Sequence, residues 1–444
     1  MARPLESPGA GCALHGALHC ATAVPGVVPI LHATAGCAVQ AHLNGAAAGL
    51  AGPDRFGGLA VPACNVFEKQ VVFGATARLR EQIKNTVKVM DGGLHVVLSS
   101  CATEMIGDDV PAMAKEARDQ GFPVLSIASA GFRGSSHDGY VLFLKGVLAQ
   151  FAEPAGERDP VLVNLLGIVP RQDAFWEGDL AEWSRLLAGI GLRANPVFGP
   201  EGGIDGLRNL TRAGSSLAVS PWGAEVARSL EQDFGVPWLD AGGLPVGAVA
   251  SGSLLRDVAA RLDLPGEPVE VFIAAETRRE DHYLSRLADV YFRHDLQRSF
   301  ALVAGSLHAA GLAGFLTGTL GWLPRLIVVA DGPPEAARPA LREQLAALTE
   351  ACNTHVLFSE DAGEIEAAIV AGGAEIVLGR ALDRGAADAL GVELVQVAFP
   401  VADRLVLDKG LSGVRGAVTL IEEIARAVLA AQWNNSGVVP GWPA

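Results

Sequence analysis

The sequence predicts an α/β protein whose parallel sheets are flanked by helices. Two observations carry that prediction. Short Val/Ile/Leu-rich runs recur along the chain and alternate with amphipathic helical patterns. Strands buried on both faces read this way, because helices cover both sides of a parallel sheet. The composition agrees: half of the 444 residues are apolar, and glycine (53) and alanine are plentiful. Such a chain has enough material for two or three domains with large cores, and it does not resemble a disordered or fibrous protein.

The strand runs are, in order, "HVVLSS", "PVLSIAS", "VLVNLLGIV", "FALVAG", "RLIVVAD", "THVLFSE", "AEIVLG" and "LVQVAFP". Three units follow from the breaks between them. The first spans residues 1–156 and ends at the linker-like "EPAGERDP". The second spans 157–294 and closes on "ETRREDHYLSRLADVYFRHD", which reads as a solvated helix. The third spans 295–444, from "QRSFALVAG" to the helix "GAVTLIEEIARAVLAAQW" and a Gly/Pro-containing tail. No short repeat relates the units.

Residues 299–324 contain no Asp, Glu, Lys or Arg, a length that could span a bilayer. The internal pattern argues for a strand, a Gly-rich helix and a second strand opened by Pro324 instead. The net charge of -15 disfavours nucleic acid and anionic membranes as partners, and no Lys/Arg-rich run makes an exception. The N-terminal stretch lacks a continuous apolar segment of the secretory kind, so a cytoplasmic location is expected.

Six cysteines stand at 12, 20, 37, 64, 101 and 352. In an intracellular chain, cysteines serve metal binding or catalysis, or are simply buried. Cys101, in "VVLSSCATEMIGDD", sits at the carboxyl end of a strand run, where open parallel sheets bind ligands. No glycine-rich nucleotide motif follows any strand. Three readings of the cysteines compete. They are buried small hydrophobes; or Cys12, His15, His19 and Cys20 bind zinc through C-x-x-H-x-x-x-H-C; or Cys12, Cys37 and Cys101 ligate an iron–sulfur cluster. The zinc reading lacks a second ligand pair. The small residues after Cys12 and Cys37 are expected to let the backbone approach a bulky group.

The order of these motifs carries a resemblance. C-x-x-x-G-A (Cys12, Gly16, Ala17), P-I-L-H-x-x-x-G-C (Pro29 to Cys37) and "VVLSSCATEMIGDD" together are similar to nitrogenase component 1, and most to its β-type subunit. "VFGATARLREQI", "SAGFRGSSHDGY", "VAFPVADR" and "GVRGAVTLIEEI" extend the likeness to both ends, while residues 160–290 add little. The resemblance implies three Rossmann-like domains and an α₂β₂ heterotetramer with an α-type subunit. It implies that Cys12, Cys37 and Cys101 supply this chain's half of an interfacial [8Fe-7S] P-cluster, with a larger iron–sulfur cofactor in the α-type partner. Ser135 matches a serine that ligates the oxidised cluster, against a plain role in a Gly-rich turn. Phe73 matches an exposed aromatic where a homodimeric, ATP-dependent [4Fe-4S] iron protein docks, against a core position.

Other polar residues near the motifs have quieter readings. Asp108, Asp109 and Glu104 are expected in the first turns of helices, where negative charge meets the helix dipole. His32 is either a hydrogen-bond donor toward the cluster ligands or a structural histidine. Cys20, Cys64 and Cys352 are read as structural. No general acid or base is required in this chain, because the reaction belongs to the partner's cofactor.

Within the family, the retained cysteine trio argues against a cofactor-assembly scaffold. The surroundings of Cys12 and Cys37 are Ala/His-rich, and Gln40 stands where nitrogenase carries an aromatic three residues after Cys37. These departures favour a methylthio-alkane reductase, which cleaves a C–S bond, over an N₂-reducing nitrogenase β subunit. A noncatalytic scaffold or cluster carrier, and a cofactor-free binding module, are the readings from other functional classes.

Overall fold

The computed structural model describes residues 5–6, 9–40, 61–350 and 352–436 of the chain. Its strands form three sheets, every pairing parallel. The first contains β1 (Val27–His32), β2 (Leu94–Ser99) and β3 (Val124–Ile127), in the order β1-β2-β3. The second contains β4 (Asp159–Leu166), β5 (Arg193–Asn195), β6 (Ala213–Ala218) and β7 (Trp238–Asp240), in the order β5-β4-β6-β7. The third contains β8 (Ser299–Ala304), β9 (Leu323–Val329), β10 (His355–Phe358), β11 (Ile376–Gly379) and β12 (Glu393–Gln396), in the order β10-β9-β8-β11-β12. Each expected strand run forms a strand. β1, β5, β6 and β7 are additional.

The uncharged stretch resolves as expected into β8, a helix over Ala309–Gly318, and β9. Among the described residues no helix is long and apolar enough to cross a membrane. The charged segment belongs to one helix, Gly266–Arg293. It is not solvated throughout. Glu276 is buried and accepts from both terminal nitrogens of Arg185, at 3.0 and 2.5 Å, and Glu280 is buried under a 2.9 Å bond from the Ala248 amide. A buried carboxylate must find such donors, because water no longer solvates it.

One contact fixes the N-terminal part of the molecule. The helix Ala13–Ala23 crosses the helix Ser136–Gln150 with backbone against backbone. A Cβ on Gly16 would lie 1.9 Å from the Ser136 carbonyl oxygen. A Cβ on Gly139 would lie 2.3 Å from the Ala13 oxygen and 2.6 Å from the Ala17 nitrogen. The expectation that Gly16 makes room for a bulky group is therefore corrected, since the space is filled by a neighbouring helix. Just before the crossing, the Ala13 amide donates to the Gly134 carbonyl at 2.9 Å and the Ser136 amide to the Gly11 carbonyl at 2.8 Å. This antiparallel bridge sets Cys12 beside Ser135. A further bond, from the Gly167 amide to the Tyr140 hydroxyl at 2.8 Å, ties the second helix to the end of β4.

Adding a methyl at either glycine of the crossing pushes it into backbone that cannot rotate away. We expect Gly16→Ala and Gly139→Ala each to lower stability by about 1–3 kcal/mol or more. Gly266→Ala, where a Cβ would meet nothing within 4 Å, is expected to stay within about 0.5 kcal/mol of the parent. Denaturant titration of the three variants checks this.

Candidate functional site

The candidate site lies beyond the carboxyl ends of β1 and β2. The chain leaves β2 through Ser99 and Ser100 and turns at once into a short helix, Cys101–Met105. Ser100 starts that helix, its amide donating to the Thr103 hydroxyl at 2.9 Å. The Thr103 hydroxyl in turn donates to the His32 carbonyl at 2.9 Å, so the ends of β1 and β2 are stitched together. Cys101 is the first helical residue, and it is exposed.

Glu104, expected only as a first-turn acid, does more. It accepts from the Ser99 hydroxyl at 2.6 Å, the Ala130 amide at 3.1 Å and Arg133 at 2.8 Å. Burial works against its charge, but the bonds from Arg133, Ser99 and Ala130 outweigh it and hold the carboxyl below its usual range. These contacts clamp the turn Gly131–Arg133 over Cys101, and the Gly131 amide donates to the Cys101 sulfur at 3.1 Å. A Cβ on Gly131 would lie 3.1 Å from the Cys101 sulfur and 3.3 Å from the Cys12 sulfur. Two of the three expected cysteines thus flank one glycine.

Cys37 reaches the same place through His15. The Cys12 sulfur is 3.2 Å from His15 Nδ1, and His15 Nε2 is 3.1 Å from the Cys37 carbonyl oxygen. The Cys37 sulfur lies 3.8 Å from the Thr34 hydroxyl. Burial alone would raise the Cys12 thiol. The His15 hydrogen bond and charge overcome that and lower it, which favours thiolate. His15 moves the other way: burial disfavours its charge, but the contact with Cys12 raises it. Cys37 is raised, first by burial; its Thr34 hydrogen bond opposes this, while negative charge on Cys12 and Cys101 adds to it. The three thiols therefore share one electrostatic neighbourhood.

Sequence reasoning had placed His15 only in the zinc set, and that set does not assemble. His19 is buried against Gln172 at 3.3 Å, and its pKa is pushed down to about 3 by burial and by Arg171 and His15. Burial raises the Cys20 thiol well above its usual value. Cys64 is buried too, pushed up to about 12 by burial, and Cys352 is half-buried. The spacing Cys12, His15 on a helix was the available signal for the pair, because residues three apart share a face.

Other expectations shift. His32 does not point at a sulfur. It pairs with Asp108 at 2.8 Å, both side chains being buried. Asp108 is not in the first turn of its own helix. Its other oxygen accepts from the Ala75 amide at 2.9 Å and the Thr76 hydroxyl at 3.1 Å, capping a different helix, Thr76–Val89. Asp109 does cap the helix that follows it, accepting from the Ala112 amide at 3.0 Å. Ser135 starts the helix Ser136–Gln150, where its hydroxyl donates to Asp138 at 3.0 Å. Phe73 is no core residue. It is 81% exposed at the end of the helix Glu68–Phe73, beside exposed Val72, Val71 and Phe67. Contiguous apolar exposure of this kind marks an interaction surface. Gln40 is exposed, on the helical stretch that carries Cys37.

The donor set suits a multi-iron cluster. Thiolates are its usual ligands, and the three sulfurs are not gathered within 4.8 Å of one another as ligands of a single ion would be. The missing Cβ of Gly131 leaves backbone free to approach whatever the sulfurs hold. In metal-free chain near pH 7, we expect Cys12 to be alkylated faster than Cys37, and His15→Gln to slow Cys12 several-fold. Mass-spectrometric labelling rates check this. Equal rates in the parent and the variant would contradict the His15 effect.

Comparison with known proteins gives the family. The family model for nitrogenase component 1 type oxidoreductases matches residues 12–429. The nitrogenase vanadium-iron protein beta chain of Trichormus variabilis is 25% identical over 450 aligned residues, covering 94% of this chain and 93% of the relative. The nitrogenase molybdenum-iron protein beta chain of Methanococcus maripaludis is 21% identical, covering 95% and 94%. A solved structure described as nitrogenase Cp1 at pH 6.5 shares the fold, with a TM-score of 0.80 at 19% identity over 100% of this chain and 97% of its own. The chain belongs to the nitrogenase component 1 type oxidoreductases, as a β-type subunit.

Proposed function

We propose that this chain is the electron-relay subunit of a nitrogenase-like reductase, with Cys12, Cys37 and Cys101 as its ligands to the P-cluster. β-type chains of this family carry that cluster jointly with an α-type subunit in an α₂β₂ assembly, and the larger cofactor sits in the α-type chain. The observation that carries the reading is the pair of sulfurs flanking Gly131, with His15 joining Cys12 to the Cys37 backbone. When bound, the cluster supplies one-electron storage and transfer. The protein's part is to position thiolates, to lower the Cys12 thiol through His15, and to donate the Gly131 amide toward the Cys101 sulfur. Exposure of Cys101 in the single chain suits a site completed by a second subunit. Ser135 lies beside Cys12, and its hydroxyl is engaged by Asp138, so helix capping is its first role.

The patch of Phe67, Val71, Val72 and Phe73 is the surface we assign to an ATP-dependent [4Fe-4S] iron protein. Free thiols at all six cysteines suit a reducing compartment, and we place the protein in the cytoplasm. For the substrate we favour a methylthio-alkane, reduced at the C–S bond. Gln40 in place of an aromatic supports this.

The complex with its α-type partner and iron protein, purified anaerobically, tests the substrate. Ethylene or methane release from methylthio-alkanes is expected; ammonia formation without it would assign N₂ reduction instead. Cys101→Ala is expected to abolish or grossly alter the interfacial cluster signal. Unchanged iron content and EPR would refute the ligand assignment. A cluster passed intact to an acceptor protein would mark the chain as a carrier. Phe73→Ala is expected to raise the iron-protein concentration needed for half-maximal turnover about tenfold, with the cluster EPR unchanged.

A further inference from the structure

A second cluster of ligating side chains lies where loops of the second and third sheets meet the helix Ser136–Gln150. Asp173 lies in the loop after β4, and Asp179 in the first turn of the helix Trp176–Gly189. His308 caps the helix after β8, and Asp331 follows β9. His137 comes from the first turn of the helix Ser136–Gln150. His137, Asp173, His308 and Asp331 line a cavity of about 40 Å³ together with Gln172 and Trp222, and Asp179 reaches it through His308. The cavity therefore sits beyond the carboxyl ends of β4, β8 and β9, where parallel sheets place ligands.

Four buried polar atoms on this lining have no hydrogen-bond partner: His137 Nδ1, Gln172 Oε1, Asp173 Oδ2 and Asp331 Oδ1. Their residues are only 9, 8, 8 and 6% exposed. A buried polar atom left unmatched keeps its desolvation penalty, so several around one cavity call for an occupant. The charge balance says which kind. Three buried carboxylates (Asp173 and Asp331 on the lining, Asp179 against His308) outnumber the two imidazoles there, His137 and His308. The surplus is negative, and a cation relieves it.

The distances suit one ion. Ligand atoms of Asp173, Asp179 and His308 all lie within 4.8 Å of one another. His308 Nε2 is 2.8 Å from Asp179 Oδ2 and 3.8 Å from Asp173 Oδ2. These bracket the edge of about 3 Å between neighbouring ligands in an octahedron with bonds of about 2.1 Å. Asp179 is anchored for the task, because its other oxygen accepts from the amides of Leu411 and Ser412 and the Ser412 hydroxyl, each at 2.8 Å. At about 10–15 Å³ per water, the cavity admits an ion with a few waters and excludes any organic cofactor or cluster.

We propose that Asp173, Asp179 and His308 form a mononuclear site for a divalent first-row metal ion at the junction of the second and third sheets. Two carboxylates and one imidazole match Mn²⁺, Fe²⁺ or Zn²⁺, and would disfavour Cu⁺, which prefers thiolate. The ion would join a loop of the second sheet, a helix of the third and, through Asp179, the segment before the C-terminal helix.

Mn²⁺ is the probe, because it is distinguishable from cluster iron. The α₂β₂ complex is dialysed anaerobically against chelator and titrated with Mn²⁺, followed by EPR of free Mn²⁺. One ion per β-type chain is expected, lost at least tenfold in affinity in Asp173→Asn, with the interfacial cluster signal unchanged. That variant keeps the 2.9 Å bond from the Phe175 amide to Asp173 Oδ1. Mn²⁺ anomalous diffraction from the unmodified complex gives a reading independent of the variant's folding. A peak between the three side chains supports the site. Water alone in the cavity, or equal Mn²⁺ affinity in Asp173→Asn, overturns it.

Discussion

The close crossing of two helices at Gly16 and Gly139 is the constraint on which the thiol site depends. Helices with ordinary side chains pack about 8–10 Å apart. Here backbone meets backbone, because neither glycine carries a Cβ to hold the axes away. That approach lets residues 11–13 pair with 134–136. Cys12 is thereby brought under the turn Gly131–Arg133, which Glu104 holds over Cys101. Remove the crossing and Cys12 has no fixed relation to the ends of β1 and β2.

Electrostatics then separates cysteines that look alike in the sequence. Cys20 and Cys64 are buried without a cationic partner strong enough to offset burial, so they remain protonated and inert. Cys12 is half-buried, yet its histidine three residues on reverses the outcome. One helical turn separates a thiol held protonated from one held toward thiolate. Sequence can register that spacing, but only the fold says which histidine faces which sulfur.

The fold class and the strands of the third sheet were legible because their apolar runs are long and rich in Val, Ile and Leu. β1 was not among the strands inferred, and Pro29 explains it: proline in a strand signals an edge, and β1 is the outer strand of its sheet. The second sheet was harder. β5 and β7 have three residues each, and β6 reads "AGSSLA", with no apolar alternation. At the site, the resemblance carried by the order of the motifs singled out the three cysteines. Apart from Ser99, the partners of Asp108 and Glu104 were not legible, since they are 26 to 76 residues away in sequence. Long-range pairing of that kind leaves no local pattern.

Asp108 ties together two places that otherwise have separate roles. One of its oxygens meets His32, at the end of the strand that leads to Cys37. The other holds Ala75 and Thr76, directly after the apolar stretch that ends at Phe73. The surface patch is thus moored to the sheet by one buried carboxylate. A donor docked on that patch would find the thiols at a fixed span, a gauge set by the chain before any partner arrives.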